Sequence, residues 1–248
     1  MRILVLSILC LGLLSPLSAQ RGLKIGVFGV PQISYLNNAD DNNLVDERYN
    51  AEALPTMAGG ISIGLGFSDF FGLRFSPSLA QQGGAYTSLV GAVSTRFVER
   101  LNYAKLPLMF GFNTPTAGRK FSFSFYLGAS ADFLLGAKSF NDNPFIITPD
   151  NVSIPPVRDR YQNMVYSFIG ETGFDIQLPP DNFTLNLRLR GDYGLTDAEN
   201  KDIEGRILQN GQVSSFSYWT NLRGETRSAI TQGLNLGLLI GLTYSFLP

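Results

Sequence analysis

The stretch Ile230 to Phe246, ITQGLNLGLLIGLTYSF, decides how this chain is read. Taking every second residue gives Ile230, Gln232, Leu234, Leu236, Leu238, Ile240, Leu242, Tyr244 and Phe246. The residues between them are small or polar except Leu239. A period of two puts these sets on opposite faces of a strand. One face is oily and ends in aromatics, and the other is small and wettable. That is the pattern of a strand with lipid outside and a packed polar lumen inside. A soluble strand also alternates, so the reading depends on repetition along the chain.

The alternation repeats seven more times, over Leu23–Tyr35, Thr56–Phe67, Phe70–Gln82, Leu101–Phe112, Lys120–Leu135, Met164–Gln177 and Phe183–Leu195. In Lys120–Leu135, Phe121, Phe123, Phe125, Leu127 and Phe133 share one face, and Ser122, Ser124, Tyr126, Gly128, Ser130 and Asp132 share the other. Pro107 removes a ladder hydrogen bond, which predicts a bulge or distortion there. The connections alternate in length. Those after the second, fourth and sixth strands are short, and the others, including Gln81 to Phe97 and Thr196 to Ser228, are long. In the last, Asn210-Gly211 predicts a hairpin turn whose arms, Arg206–Gln209 and Gln212–Phe216, extend the barrel strands beyond the membrane.

These features predict an all-β fold: an eight-stranded antiparallel up-and-down transmembrane barrel with short periplasmic turns and long extracellular loops. A closed meander leaves no unpaired edge, and hydrocarbon makes closure compulsory. The alternative is a soluble barrel of the lipocalin kind, with the oily faces inward.

The charges favour the membrane reading. With oily faces outward, Lys24, Arg74, Lys105, Arg188 and Arg190 fall inside, as do Asp132, Glu171, Asp175 and Asp192. A Lys or Arg facing lipid at mid-bilayer would cost about 2–4 kcal/mol. Inside a small barrel these groups pair with one another, so a structural charge network is expected of them.

Composition excludes several functions. Hydrophobic residues make up 44% and charged ones 16%, against about 25% charged in soluble domains. The net charge of −1 gives no basic patch for nucleic acid. There is no His, which removes Ser-His-Asp and Cys-His catalysis and the commonest metal ligand. Asp132, Glu171 and Asp192 remain as candidate acids for a rim-located lipid-modifying enzyme, an expectation weaker than the structural one. No cofactor, metal or defined small molecule is indicated. The acidic stretch Asp40 to Glu47 lacks calcium-loop spacing and reads as a solvated loop.

Residues 1–19 read as a signal peptide: Arg2, the apolar run Ile3 to Leu14, then Ser18-Ala19. Residues 20–248 form the barrel domain in this reading. The single cysteine, Cys10, lies within the apolar run, so the exported part is expected to carry no disulfide. The expected location is the outer membrane, with lipid as the first partner. In the last loop, Phe216, Tyr218 and Trp219 are expected at the headgroup level, and are alternatively contact residues for a protein partner.

Several segments resemble the PorT-like outer-membrane β-barrel family. They are Gly59-Gly60, Leu73 to Gly84 (LRFSPSLAQQGG), Tyr103 to Leu108 (YAKLPL), Tyr193 to Thr196 (YGLT) and Gly241 to Phe246 (GLTYSF). The resemblance covers most of the chain outside the long loops and rests on framework residues. Two departures stand out: Ser78 occupies a position that is often Glu in the family, and the chain ends Phe246-Leu247-Pro248 in place of a terminal aromatic. The resemblance implies a non-enzymatic barrel, and in one branch of the family a link to secretion machinery. Function then reduces to a structural or accessory protein working through its external loops, with a narrow pore as the alternative.

Overall fold

The computed structural model describes residues 22–38, 48–68, 70–90, 93–114, 120–141, 152–153, 156–179, 182–209, 212–217 and 229–246. Eight strands form one closed ring. β1 is Gly22–Asn37, β2 runs as Arg48–Glu52 and Leu54–Gly66, and β3 runs as Phe71–Phe75 and Ser78–Val90. β4 is Val93–Asn113, β5 Phe121–Asn141, β6 Met164–Leu178, β7 Phe183–Gly194 and β8 Gln232–Ser245. Each strand pairs antiparallel with the next. β1 closes the ring, with Gly29 opposite Ile240 of β8 on one side and Val27 opposite Ile61 of β2 on the other.

Burial follows the two-residue period. On β3, Phe71, Leu73 and Phe75 are exposed while Gly72 and Arg74 are buried. On β5, Phe121, Phe123, Phe125, Leu127, Phe133 and Leu135 point outward between Lys120 and Lys138. At about 3.4 Å per residue, Phe121 to Leu135 runs about 47 Å, which a tilt of about 45° reduces to about 33 Å. That matches the hydrocarbon core of a bilayer at about 30 Å. Neighbouring strands continue the belt with Leu108, Phe110, Phe168, Phe174, Leu189, Leu236 and Ile240.

At one end the connections are tight. The Ser68 hydroxyl oxygen accepts from the Phe71 amide at 2.9 Å, fixing the β2–β3 turn. At the other end the strands overrun the belt. The expected long connection from Gln81 to Phe97 is not a loop for most of its length: Ser78–Val90 pairs with Val93–Lys105 down to Val90 opposite Val93. Beyond the belt the strands lose their lipid-facing side: Ala85 and Val98 pack with Leu54, and Thr87 and Arg96 both bond to Glu52, so no oily–polar alternation marks this ladder. Backbone geometry holds this extension at Gly83. Its φ is +155°, and a Cβ there would lie 1.9 Å from the Glu99 carbonyl oxygen.

Two further expectations are corrected. Pro107 keeps regular register opposite Ser130, and the irregularity falls at Asn102/Tyr103. Proline breaks the ladder in β3 instead, where Ser76 and Pro77 interrupt the strand. There the Ser76 amide donates to the Pro107 carbonyl and the Ile61 amide to the Pro77 carbonyl, both at 3.1 Å. The hairpin Glu204–Gln209/Gln212–Ser217 exists, but joins Val152–Ser153 in a separate three-stranded sheet and does not extend the barrel strands. Its turn, Asn210-Gly211, lies outside the described residues, as does the stretch read as a signal peptide.

Candidate functional site

The lumen holds the charges in layers, and strand register explains which meet. β7 presents Arg188, Arg190 and Asp192 inward at every second position, and β6 presents Glu171 and Asp175. Arg190 stands opposite Glu171 and Asn186 opposite Asp175. Lys105 of β4 stands opposite Asp132 of β5. Gly173 lies opposite Arg188, and a Cβ there would come within 2.1 Å of the Leu187 carbonyl and 2.6 Å of Arg188 Cα. A bare backbone at that point lets the arginine lie flat against the wall.

At mid-height Glu171, with no exposed side-chain surface, is ringed by three guanidiniums. Arg74 pairs with it directly, Arg190 Nη1 lies 3.5 Å from Oε1, and Arg188 Nη1 lies 3.6 Å from Oε2. Arg188 also grips Asp175 at 2.6 and 2.8 Å and donates from Nε to Ser124 Oγ at 2.8 Å. Tyr126 lies between the strands as a platform, with the Arg74 and Arg188 guanidiniums 4.0 and 4.7 Å from its ring centroid. Desolvated cation–π contacts of this kind contribute about 2 kcal/mol each. Gly111 makes room for the ring, since a Cβ there would lie 2.1 Å from it.

One layer nearer the overrunning end, Arg190 Nε donates to Asp192 Oδ1 at 3.1 Å. Lys105 Nζ bridges Asp192 at 2.9 Å and Asp132 at 3.2 Å. Ser167 Oγ donates to Asp132 at 2.9 Å, and Ser130 Oγ also bonds to this carboxylate. The opposite wall is apolar, made by Val30, Ala58, Ala80 and Leu239 with Phe28 packed against them. Arg190 spans the two halves, its guanidinium 5.8 Å from the Phe28 ring centroid.

Above these layers lies an apolar cap. Leu36, Leu101, Tyr103, Leu134 and Val165 from the strands pack with Tyr161 and Ala198 from the connecting segments. The Gln162 amide donates to the Ala198 carbonyl at 2.9 Å, the Asn200 amide to Arg160 at 2.8 Å, and the Ala198 amide to Thr231 at 2.9 Å. The Tyr161 hydroxyl donates to Glu99 of the β4 extension. The cap begins level with the top of the belt, where Tyr103 stands opposite Leu134, and rises past it to Glu99, which stands opposite Ser139. Burial pushes the Glu99 carboxyl up to about 7, opposed by the Arg160 guanidinium. Burial pushes Glu199 up to about 8, with the Thr231 hydroxyl opposing and the Asp197 carboxylate adding.

Two small chambers flank the mid-height layer. One of about 20 Å³ sits under the cap, walled by Leu36, Gln82, Lys105, Asp132 and Asp192. The other, about 60 Å³, lies at the tight-turn end beside Lys24, Ser62, Arg74, Asp175 and Arg188.

Eight of the nine sequence-derived lumen charges thus meet in ion pairs. Lys24 lines the lower chamber and makes no ion pair among the described residues. Phe216 belongs to the outer hairpin, and Tyr218 and Trp219 lie outside the described residues. Sequence reading missed Tyr126 as the platform and the cap residues Glu99, Tyr161 and Glu199. For Tyr126 a signal existed: a lone large aromatic in a run of inner Ser and Gly. No group of three or more acidic, Cys or His side chains able to hold a metal occurs among the described residues.

Comparison with known families agrees with this geometry. The family model described as "Outer membrane protein beta-barrel domain" matches residues 18–200, more than half of the chain. The chain belongs to that family. It is an outer-membrane β-barrel protein, located in the outer membrane, with its apolar belt in the bilayer. Among solved structures it is similar to the outer membrane protein OprG from Pseudomonas aeruginosa, at 12% identity and a TM-score of 0.45, covering 92% of this chain and 97% of that one. It is also similar to Neisserial surface protein A, at 13% identity and a TM-score of 0.39, covering 91% and 97%. A third is Ail, the attachment invasion locus protein of Yersinia pestis, at 11% identity and a TM-score of 0.39, covering 92% and 100%. At such scores these structures assign no activity or ligand to this outer-membrane barrel. Among curated proteins none matches the sequence.

Proposed function

We propose that this outer-membrane barrel is a closed, non-enzymatic protein of the PorT-like kind that works as a structural or accessory component through its external face. Residues 1–19 act as its signal peptide, and the tight turns face the periplasm. The carrying observation is the layered packing of the lumen. Glu171 and three arginines fill its mid-height, the Lys105 layer lies above them, and the apolar cap lies above that. A hydrated ion has no continuous path past these layers. The strand overrun and the cap give the external side a surface on which a protein partner can dock.

An enzymatic reading finds little support. Asp132, Glu171 and Asp192 are each held by a Lys or Arg and buried, so none is poised to take a proton from a substrate at the rim.

Planar-bilayer recording of the purified protein tests the closed lumen. The expected trace is flat, and steady unitary current would replace this reading with the narrow pore. Co-purification from native membranes tests the accessory role, and repeated recovery of the barrel alone would count against it.

A further inference from the structure

The charges of the lumen do not balance. Lys24, Arg74, Lys105, Arg188 and Arg190 face Asp132, Glu171, Asp175 and Asp192, leaving one positive charge over. The surplus is localised. Lys105 lies between two aspartates, Arg190 between Glu171 and Asp192, and Arg188 between Glu171 and Asp175. Lys24 makes no ion pair among the described residues, though the Asp175 charge acts on it from across the chamber of about 60 Å³ that both border. Arg74 borders it too. Its guanidinium is buried, and its Nε has no hydrogen-bond partner, as holds also for Arg190 Nη1 and Nη2 in the layer above.

The chamber has one carboxylate in its wall, Asp175, and that group is occupied. Arg188 holds both of its oxygens, at 2.6 and 2.8 Å, and the Asn186 amide donates to Oδ1 at 2.8 Å. The donors left over in its wall are the Lys24 ammonium and the hydroxyls of Ser62 and Thr184, with the Arg74 guanidinium beside them. A buried water needs roughly 10–15 Å³ by this measure of volume. The chamber therefore holds about four water-sized atoms, close to the five heavy atoms of a phosphate. The chamber under the cap is different: it is smaller, and its lysine is bracketed by two aspartates.

We propose that the tight-turn end of the lumen is a binding site for one small oxyanion group, phosphate or carboxylate, taken up between Lys24 and Arg74. The site depends on the closed lumen only for its floor, so a conducting barrel would sink the previous reading and leave this one standing. The anionic group arrives either free in the periplasm or on a lipid headgroup at the barrel rim.

The experiment is a thermal-melting titration of the full barrel in phosphatidylcholine bilayers with inorganic phosphate, and separately acetate, at constant ionic strength set by a large sulfonate. A ligand that binds only the folded state raises the melting temperature with concentration. The expected result is a saturable rise in wild type and at least tenfold weaker binding in Lys24→Gln. Thr184→Val, which leaves both cations in place, is expected to weaken binding at least threefold and serves if Lys24→Gln fails to insert. A parallel arm adds phosphatidylglycerol without free anion. A Lys24-dependent rise in that arm alone assigns the site to a lipid phosphate. No saturable rise in any arm, or equal rises in wild type and the variants, overturns the proposal.

Discussion

Replacing Glu171 by Gln tests the mid-height layer most directly. The side chain is fully buried, and the change deletes one negative charge while nearly preserving shape. The three arginines around it are not equally exposed to the loss. Arg188 keeps Asp175 at 2.6 Å, and Arg190 keeps Asp192 at 3.1 Å. Arg74 keeps the face of Tyr126 at 4.0 Å and a weak contact to the Met109 sulfur at 3.9 Å. The cost is therefore that of one buried cation left without its anion, about 3–5 kcal/mol when a buried pair is broken from one side. Arg74 also borders the lower chamber, where water can reach it, so the expected loss is at the low end, about 3 kcal/mol. The assay is equilibrium urea unfolding in lipid vesicles, followed by far-UV circular dichroism. The double variant Arg74→Met/Glu171→Met removes both charges at similar volume, and is expected to return within about 1.5 kcal/mol of wild type. The reasoning fails if Glu171→Gln costs under about 1 kcal/mol, or if the double variant is less stable than the single one.

Four further outcomes are expected. Leu127→Arg, near the middle of the outward belt on β5, should destabilise the inserted barrel by about 2–4 kcal/mol in the same assay, while Lys138→Ala beyond the belt should be near neutral. Gly111→Ala should displace the Tyr126 ring from beneath Arg74 and Arg188, cost about 1–3 kcal/mol and change the near-UV circular dichroism of the folded state. Gly173→Ala meets backbone that cannot yield and should cost at least as much as Gly111→Ala. The cap should loosen as pH rises. The folded-state values of about 7 for Glu99 and about 8 for Glu199 stand above the ordinary carboxylate value of 4.5. The folded cap thus binds protons that the open chain has released, and the stability so gained is complete below pH 4.5 and lost as pH climbs through 7 and 8. Protease resistance of the segment around Tyr161, followed from pH 5 to 9, should fall, and Glu99→Gln with Glu199→Gln should flatten the profile.

How much of this was legible in the sequence depended on whether two environments met at a strand. Within the membrane, lipid and lumen impose opposite chemistry on successive residues, so Phe123 against Ser124 and Leu187 against Arg188 declared both strand and face. Beyond it there is no lipid side, burial is set by local clusters such as Leu54, Ala85 and Val98, and the contrast vanishes. That is why Thr87 and Arg96 gave no sign of the long β3–β4 ladder. The cap was invisible for another reason: Tyr161, Ala198 and Glu99 are far apart in the chain and sit in segments with no period. Which charges pair was likewise hidden. Arg74 and Glu171 lie on strands three places apart in the ring, and only register decides that they meet.

A lumen closed as proposed could have been filled with leucine, and buried ion pairs on their own add little to stability. Their effect on alternative pairings is larger. Sliding β7 by one residue would turn Arg188 and Arg190 toward the acyl chains and bring Leu187 and Leu189 inside. At about 2–4 kcal/mol for each basic group at mid-bilayer, the slip would cost roughly 4–8 kcal/mol before any lost pairing is counted. A slip of a purely apolar strand would cost far less, since leucine is tolerated on either side of the wall. The same holds for β6 with Glu171 and Asp175, and for β4 and β5 with Lys105 and Asp132. The charges thus act as register pins, and one closed arrangement of the eight strands keeps all of them inside together. On this argument, neutralising the lumen pair by pair should leave a barrel of similar stability that inserts more slowly and in more than one register.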